Sequence, residues 1–222
     1  MKRALVLYCC GGGSSMGYAL AGFDVTGVDI VKKRDYPFKQ IKADCLEVLK
    51  DLDFLQSFDF IHASPPCQAY SRAALCAWGE KSLTNHLPIV REYLQRSGVP
   101  YIIENVAGSP LDSPIILCGS MFGLKVRRHR LFESNLNLIC DLKCNHKEQG
   151  KPIGVYGSMG DTVKGTCSKT GKIVFGGSTA NTIEEAREAM GIDWLNWGDL
   201  TQAIPPAYTK YLGNQVMRFL NA

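Results

Sequence analysis

Residues 3–8 open on Arg3 and continue as the apolar run Ala-Leu-Val-Leu-Tyr, which two cysteines link to three successive glycines, Gly11-Gly12-Gly13. A short run of this kind, bounded by turn residues, predicts a strand buried on both faces. Further strand-like segments follow at 24–29 and 58–64, more broken by polar residues, and at 101–103, with shorter ones at 115–118 and 130–132. Between them, 15–21, 45–55 and 87–96 predict helices, with Pro88 in a first turn, where its missing N–H costs nothing. Strands alternating with helices predict an α/β protein built on a doubly wound, mostly parallel, Rossmann-like sheet.

The pattern changes near Cys140. From there to Gly177 the chain is rich in Lys and Gly, and only 153–156 and 173–175 predict strands. Thr182-Ile183-Glu184-Glu185 matches a capping box opening a helix to Met190, and Pro205-Pro206 precedes a last helix over 208–220. The expected division is a main domain of residues 1–135 with 200–222, and a small inserted module, 136–199. At 222 residues and 45% hydrophobic content, the chain supplies one main core and little more.

No window approaches the roughly 18 apolar residues of a membrane span, and the opening run is too short for a signal peptide, so a cytoplasmic protein without membrane contact is expected. The nine cysteines are an odd number without the spacing of a disulfide framework, which favours reduced thiols. The formal charge of +4 permits nucleic acid as a partner without requiring it.

Candidate chemistry lies where strands end. Ser64-Pro65-Pro66-Cys67-Gln68 follows an apolar run and holds a thiol on a stiff turn at the sheet edge, the setting of a nucleophile. Glu104-Asn105-Val106 follows the strand at 101–103, so that in a parallel sheet a carboxyl projects from the same edge as the thiol. The loop from Tyr8 to Gly17 lets backbone approach a ligand, but it has no Gly-Lys-Ser/Thr, and its glycines miss the dinucleotide spacing by one residue. Asp29 closes the second strand, where a carboxylate can accept from ribose hydroxyls, and Asp44 follows the next. The pair suits a nucleoside without phosphates, with S-adenosylmethionine the leading candidate.

Taken in order, these motifs resemble the cytosine-C5 methyltransferases of DNA and their relatives acting on RNA. Pro65-Pro66-Cys67-Gln68 looks like the family's nucleophile motif and Glu104-Asn105-Val106 like its ENV motif. Arg128-His129-Arg130 is similar to its Arg-x-Arg motif, and Gly213-Asn214-Gln215-Val216 resembles the late motif that returns to the cofactor. The resemblance covers residues 1 to about 135 and 200–222. It implies DNA cytosine-C5 methylation with S-adenosylmethionine by base flipping, through a covalent adduct of Cys67, with Glu104 at ring N3, Arg130 at O2 and Arg128 positioning both. Its cofactor site would use Tyr8, Gly12 and Gly13 in the loop, Asp29 with Ile30 at the ribose, and Asp44 with Cys45 around the adenine, completed by Pro66 and Asn214. A monomer is expected. The same chemistry on RNA or a free cytosine nucleotide is an alternative, as is a catalytically silent nucleic-acid-binding relative.

The chain departs from the family at Val6, Cys10 and Val126, and more widely between Glu133 and Leu200, where a target recognition region belongs. That stretch is short. Its Lys143, Lys147, Lys151, Lys164, Lys169 and Lys172 could form a basic face, with Tyr156 and Phe175 as stacking groups. Cys140, Cys144, His146 and Cys167 could supply zinc ligands, but C-x3-C-x-H is not a standard spacing, and no metal is expected.

Overall fold

The computed structural model describes residues 1–70, 85–160 and 178–222 with their side chains, and the strand backbone at 162–166 and 173–177. Its main sheet has seven strands: β1 (Arg3–Leu7), β2 (Asp24–Asp29), β3 (Lys39–Lys42), β4 (Phe60–Ala63), β5 (Tyr101–Val106), β6 (Ile115–Leu117) and β7 (Arg130–Ser134). Their spatial order is β3-β2-β1-β4-β5-β7-β6. The first five run parallel, whereas β7 is antiparallel to both β5 and β6. This is the doubly wound α/β architecture expected from the alternation.

The chain runs outward from β1 through β2 to β3, then returns to the other side of β1 for β4 and β5. Successive crossovers therefore diverge between β1 and β4, opening a crevice at the carboxyl ends of these two strands. The loops after β1 and after β4 flank it.

Side-chain alternation in β1 feeds a core on each face. Leu5 and Leu7 pack with Ile61, Ile103, Leu49 and Leu94, among α2 (Cys45–Lys50), α3 (Leu52–Gln56) and α4 (Leu87–Ser97). Ala4 and Val6 pack with Tyr18, Phe60, Ile102 and Tyr208, beneath α1 (Gly13–Leu20) and the last helix, α8 (Pro206–Leu220). Glycines allow α1 and α8 to approach closely. A Cβ on Gly17 would lie 2.0 Å from Thr209 Oγ1, and one on Gly213 would lie 2.9 Å from Ala21 Cβ.

Three predicted elements differ in extent. The helix expected over 45–55 is two helices, because Asp51 ends the first and its carboxylate caps the second, accepting from Phe54 N at 3.0 Å. The strand expected over 101–103 runs on to Val106, so Glu104 and Asn105 lie inside β5 and not after it. The strand expected over 153–156 is a single bridge between Gly154 and Thr179.

The later region holds α5 (His146–Gln149), a two-stranded ribbon of β8 (Thr162–Thr166) and β9 (Ile173–Ser178), α6 (Ile183–Met190) and α7 (Trp197–Gln202). Thr182 caps α6, accepting from Glu185 N at 3.1 Å, while the Glu185 carboxylate reaches back to Asn181 N. Ala186, Met190, Leu195 and Leu200 form a third core with Val126 and Val155. Among the described residues, no helix is long and apolar enough to cross a membrane.

Candidate active site

A cavity of about 230 Å³ occupies the crevice between β1 and β4. The glycine loop after β1, Asp29, the Ser64–Gln68 turn, Glu104 and Arg130 line one side of it or the other, and residues 202–204 close it.

Asn105 fixes the Ser64–Gln68 turn. Fully buried inside β5, it donates from Nδ2 to the Pro65 carbonyl at 3.0 Å and accepts through Oδ1 from Val106 N at 2.9 Å. Two prolines have no amide hydrogen to anchor their own loop, so this side-chain bond takes that place. Cys67 follows, half-buried against the cavity. Burial raises its thiol pKa; Arg130 opposes that rise, Glu104 adds to it and Arg128 opposes it. The Cys9 and Cys45 thiols are pushed up to about 12, mainly by burial.

Sheet register brings Glu104 and Arg130 together. Arg130 of β7 lies opposite Val106 of β5, and Glu104, two residues before Val106, shares that face. The Arg130 guanidinium Nε lies 3.2 Å from Glu104 Oε1, with both side chains largely shielded from solvent. Burial pushes the Glu104 carboxyl above its ordinary value, against the opposing effects of Arg130, a Ser64 hydrogen bond and Arg128.

Behind Glu104 runs a chain of polar groups that the sequence reading missed. Tyr18 Oη lies 2.9 Å from His62 Nδ1, and His62 Nε2 lies 2.8 Å from Ser64 Oγ, whose hydroxyl bonds Glu104. His62 is fully buried within β4, and burial lowers its pKa to about 3, so the ring is neutral and can donate at one nitrogen while accepting at the other. A histidine in the centre of an apolar strand was the available signal.

Arg128 is drawn elsewhere. Its Nη1 donates to Val155 O at 3.1 Å and Nη2 donates to Thr201 O, while the buried Nε has no partner among the described residues. Arg128 has a positive φ of 25°, and its carbonyl accepts from Tyr208 Oη at 2.9 Å. It therefore holds the turn that delivers Arg130, and does not line the cavity.

On the loop side, Asp29 accepts from Cys10 N at 2.9 Å through Oδ2 and from Val31 N at 3.1 Å through Oδ1. Tyr8 and Cys10 both take positive φ, 57° and 45°, which turns the chain sharply out of β1. Close packing explains two of the glycines: a Cβ on Gly11 would lie 2.5 Å from Leu195 Cδ2, and one on Gly13 would lie 2.4 Å from the Ile204 carbonyl. Gly12, at φ 91°, is the N-cap of α1 beside Tyr36.

Of the expected cofactor residues, Tyr8, Gly13, Asp29 and Pro66 line the cavity, whereas Gly12, Ile30, Asp44, Cys45 and Asn214 do not. Ile30 is 65% exposed beside Asp29. Asp44 caps α2, accepting from Leu46 N at 2.8 Å, and the buried Cys45 sulfur accepts from Tyr8 N at 3.2 Å. Asn214 is exposed on α8. The side chains of Lys164, Lys169, Lys172, Cys167 and Phe175 lie outside the described residues, as does Cys76.

No family model matches the chain. No curated protein matches it in sequence. Its fold is that of several solved methyltransferases. One is a candidate DNA modification methyltransferase encoded within an E. coli prophage, with a TM-score of 0.62 and 15% identity over 100% of both chains. Another is the S. pombe Dnmt2 methyltransferase, with a TM-score of 0.61 and 15% identity over 100% of this chain and 99% of that one. A third is the Entamoeba histolytica methyltransferase EhMeth, with a TM-score of 0.57 and 14% identity over 99% of each chain.

Proposed function

We propose that the protein is an S-adenosylmethionine-dependent methyltransferase acting at carbon 5 of cytosine, with DNA as substrate. The observation that carries this reading is the convergence of Cys67, Glu104, Arg130 and Asp29 on one cavity. The likeness of the fold to a candidate DNA modification methyltransferase supports it.

The loop suits a nucleoside-bearing cofactor. Asp29 accepts one backbone hydrogen bond on each oxygen at the cavity wall, leaving a lone pair on each for a hydroxyl. Tyr8, Gly13, Asp29 and Pro66 would hold the cofactor, with Ile30 beside the ribose. When bound, it supplies an electrophilic methyl group.

The protein's own residues would then act on the base. Cys67 gives up its thiol proton to solvent as Sγ bonds to carbon 6, with Arg130 and Arg128 opposing the rise that burial imposes on its pKa, and the displaced electron pair makes carbon 5 nucleophilic. Glu104 in its protonated form donates to N3 and stabilises charge developing in the ring, while Arg130 binds O2. After methylation, a water molecule in the cavity takes the carbon 5 proton, the electron pair of that bond restores the ring double bond, and the bond from Sγ to carbon 6 breaks with its electrons returning to Cys67 as thiolate. A duplex target must also unstack its base, at a cost of a few kcal/mol.

The test is transfer of labelled methyl groups to duplex DNA, single-stranded DNA, RNA and dCMP side by side. Label on carbon 5 of DNA cytosine is expected. Label on RNA or dCMP alone would move the substrate, and no transfer to any of the four would overturn the enzymatic reading.

A further inference from the structure

We propose that Cys118, His129, Cys144 and His146 bind a zinc ion as a closed, tetrahedral structural site. This reverses the sequence expectation of no metal. It rests on these four side chains alone and stands apart from the methyl-transfer reading.

The four residues come from three places in the chain. Cys118 immediately follows β6, His129 lies between Arg128 and Arg130 at the start of β7, and Cys144 and His146 lie in the excursion that leaves β7. Each offers one ligand atom, and all four atoms lie within 4.8 Å of one another. Cys118 Sγ is 3.3 Å from His146 Nε2, and Cys144 Sγ is 3.4 Å from His129 Nε2. The two imidazoles stand nearly perpendicular, at 83°, with centroids 5.2 Å apart.

These separations match a metal centre. Zinc takes sulfur at about 2.3 Å and histidine nitrogen at about 2.0–2.1 Å, and tetrahedral bonds of those lengths place sulfur and nitrogen roughly 3.5 Å apart. Two thiolates with two imidazoles form a set that favours tetrahedral zinc over magnesium or calcium, which prefer oxygen. Four protein ligands leave no open position, as in structural and not catalytic zinc sites.

Outer contacts hold the set in place. Ser120 Oγ donates to Cys118 Sγ at 3.3 Å and accepts from Asn145 N at 3.2 Å, tying the first ligand to the backbone just before the last. Gly119 N donates to Arg127 O at 3.0 Å, and a Cβ on Gly119 would lie 1.9 Å from the Val126 carbonyl, so the strand ends converge only because this residue is glycine. Cys144 and His146 belong to the cluster, whereas the nearby Cys140 Sγ donates to the Leu142 carbonyl at 3.7 Å and lies outside it.

The consequence is positional. With His129 held by the ion, its neighbours Arg128 and Arg130 are fixed on a turn of positive φ, and the excursion after β7 is pinned to the sheet edge. The ion thereby braces the arm that carries Arg130 to Glu104.

The test uses the purified full chain, analysed for metal by elemental mass spectrometry, then stripped with chelator and titrated with cobalt. One zinc per chain is expected, together with tetrahedral cobalt absorption and sulfur-to-cobalt charge transfer. Cys144→Ser should lower metal affinity by more than about a hundredfold, beyond the roughly 10–100-fold typical of losing an outer partner. Cys140→Ser should leave stoichiometry and spectrum unchanged. The wild-type spectrum decides the matter even where a ligand variant folds poorly. Failure to bind either metal at one equivalent, a weak octahedral cobalt spectrum, or loss of binding in Cys140→Ser but not Cys144→Ser would overturn the site.

Discussion

Asn105 Nδ2 donates to the Pro65 carbonyl at 3.0 Å, so one buried side chain of β5 holds the turn that carries the nucleophile candidate. Asn105→Ala leaves both the Pro65 carbonyl and the Val106 amide without their partners, at about 1–3 kcal/mol for each buried group left unsatisfied. Asn105→Asp keeps the acceptor for Val106 but replaces the donor with an oxygen that faces the Pro65 carbonyl and, when ionised, buries an unpaired charge. Both variants should unfold at lower urea concentration, and methyl transfer should fall further than this loss of stability explains, because Cys67 is no longer held against the cavity. Single-turnover rates measured under fully folded conditions check the second effect.

Cys67→Ser should abolish methyl transfer with little change in stability. A serine hydroxyl is far less acidic than a thiol and cannot add to carbon 6 at a useful rate. The parent should also form a covalent adduct with a 5-fluorocytosine substrate, and the variant should not. Near-parental turnover of the serine protein would remove Cys67 from the chemistry.

The first strands, the glycine loop and the last helix were legible because buried strands are written as short apolar runs, and the proline-ended turn at 65–66 marks itself. Other features depend on partners distant in sequence. The glycines at 11 and 13 suggest close approach of a ligand, yet Leu195 and the Ile204 carbonyl press on them, from residues more than half the chain away. His62 looks like a strand residue until Tyr18 and Ser64 are seen on its two nitrogens. The metal candidates were sought at local spacing around Cys144, whereas Cys118 follows β6 and His129 precedes β7, strands that only the antiparallel sheet edge brings near.

Asp29→Ala should weaken S-adenosylmethionine binding by about 1.5–3 kcal/mol, the scale of a hydrogen bond to a charged group. It also releases Cys10 N, whose carboxylate partner helps hold the loop. Asp29→Asn keeps an acceptor without the charge and should fall between parent and alanine. Calorimetry with each protein checks the order; equal affinities would place the cofactor elsewhere.

His62 predicts sensitivity to acid. Its folded pKa of about 3 lies far below the ordinary 6.5, so the unfolded chain binds the extra proton first. Its contribution to stability is complete above 6.5 and declines as pH falls toward 3. His62→Gln can hydrogen bond without titrating, so it should lose less stability than the parent across this window. Urea unfolding of the two proteins at successive pH values measures the difference, and parallel curves would refute the assignment.

Glu104 predicts the opposite slope. Burial holds its carboxyl pKa above the ordinary value despite Arg130 and Ser64, so the folded protein takes up a proton that the unfolded chain has released. Stability is therefore undiminished below the ordinary carboxylate pKa and falls as pH rises through the raised folded value. Glu104→Gln remains neutral throughout and should escape that decline, becoming more stable relative to the parent as pH approaches neutrality, although Arg130 loses an ionic partner. It should also lose methyl transfer, since an amide cannot supply the carboxyl proton to N3. Stability gained together with activity lost would identify a buried acid kept at an energetic cost for its chemistry. A stability difference that does not change with pH would show that Glu104 does not titrate in this window.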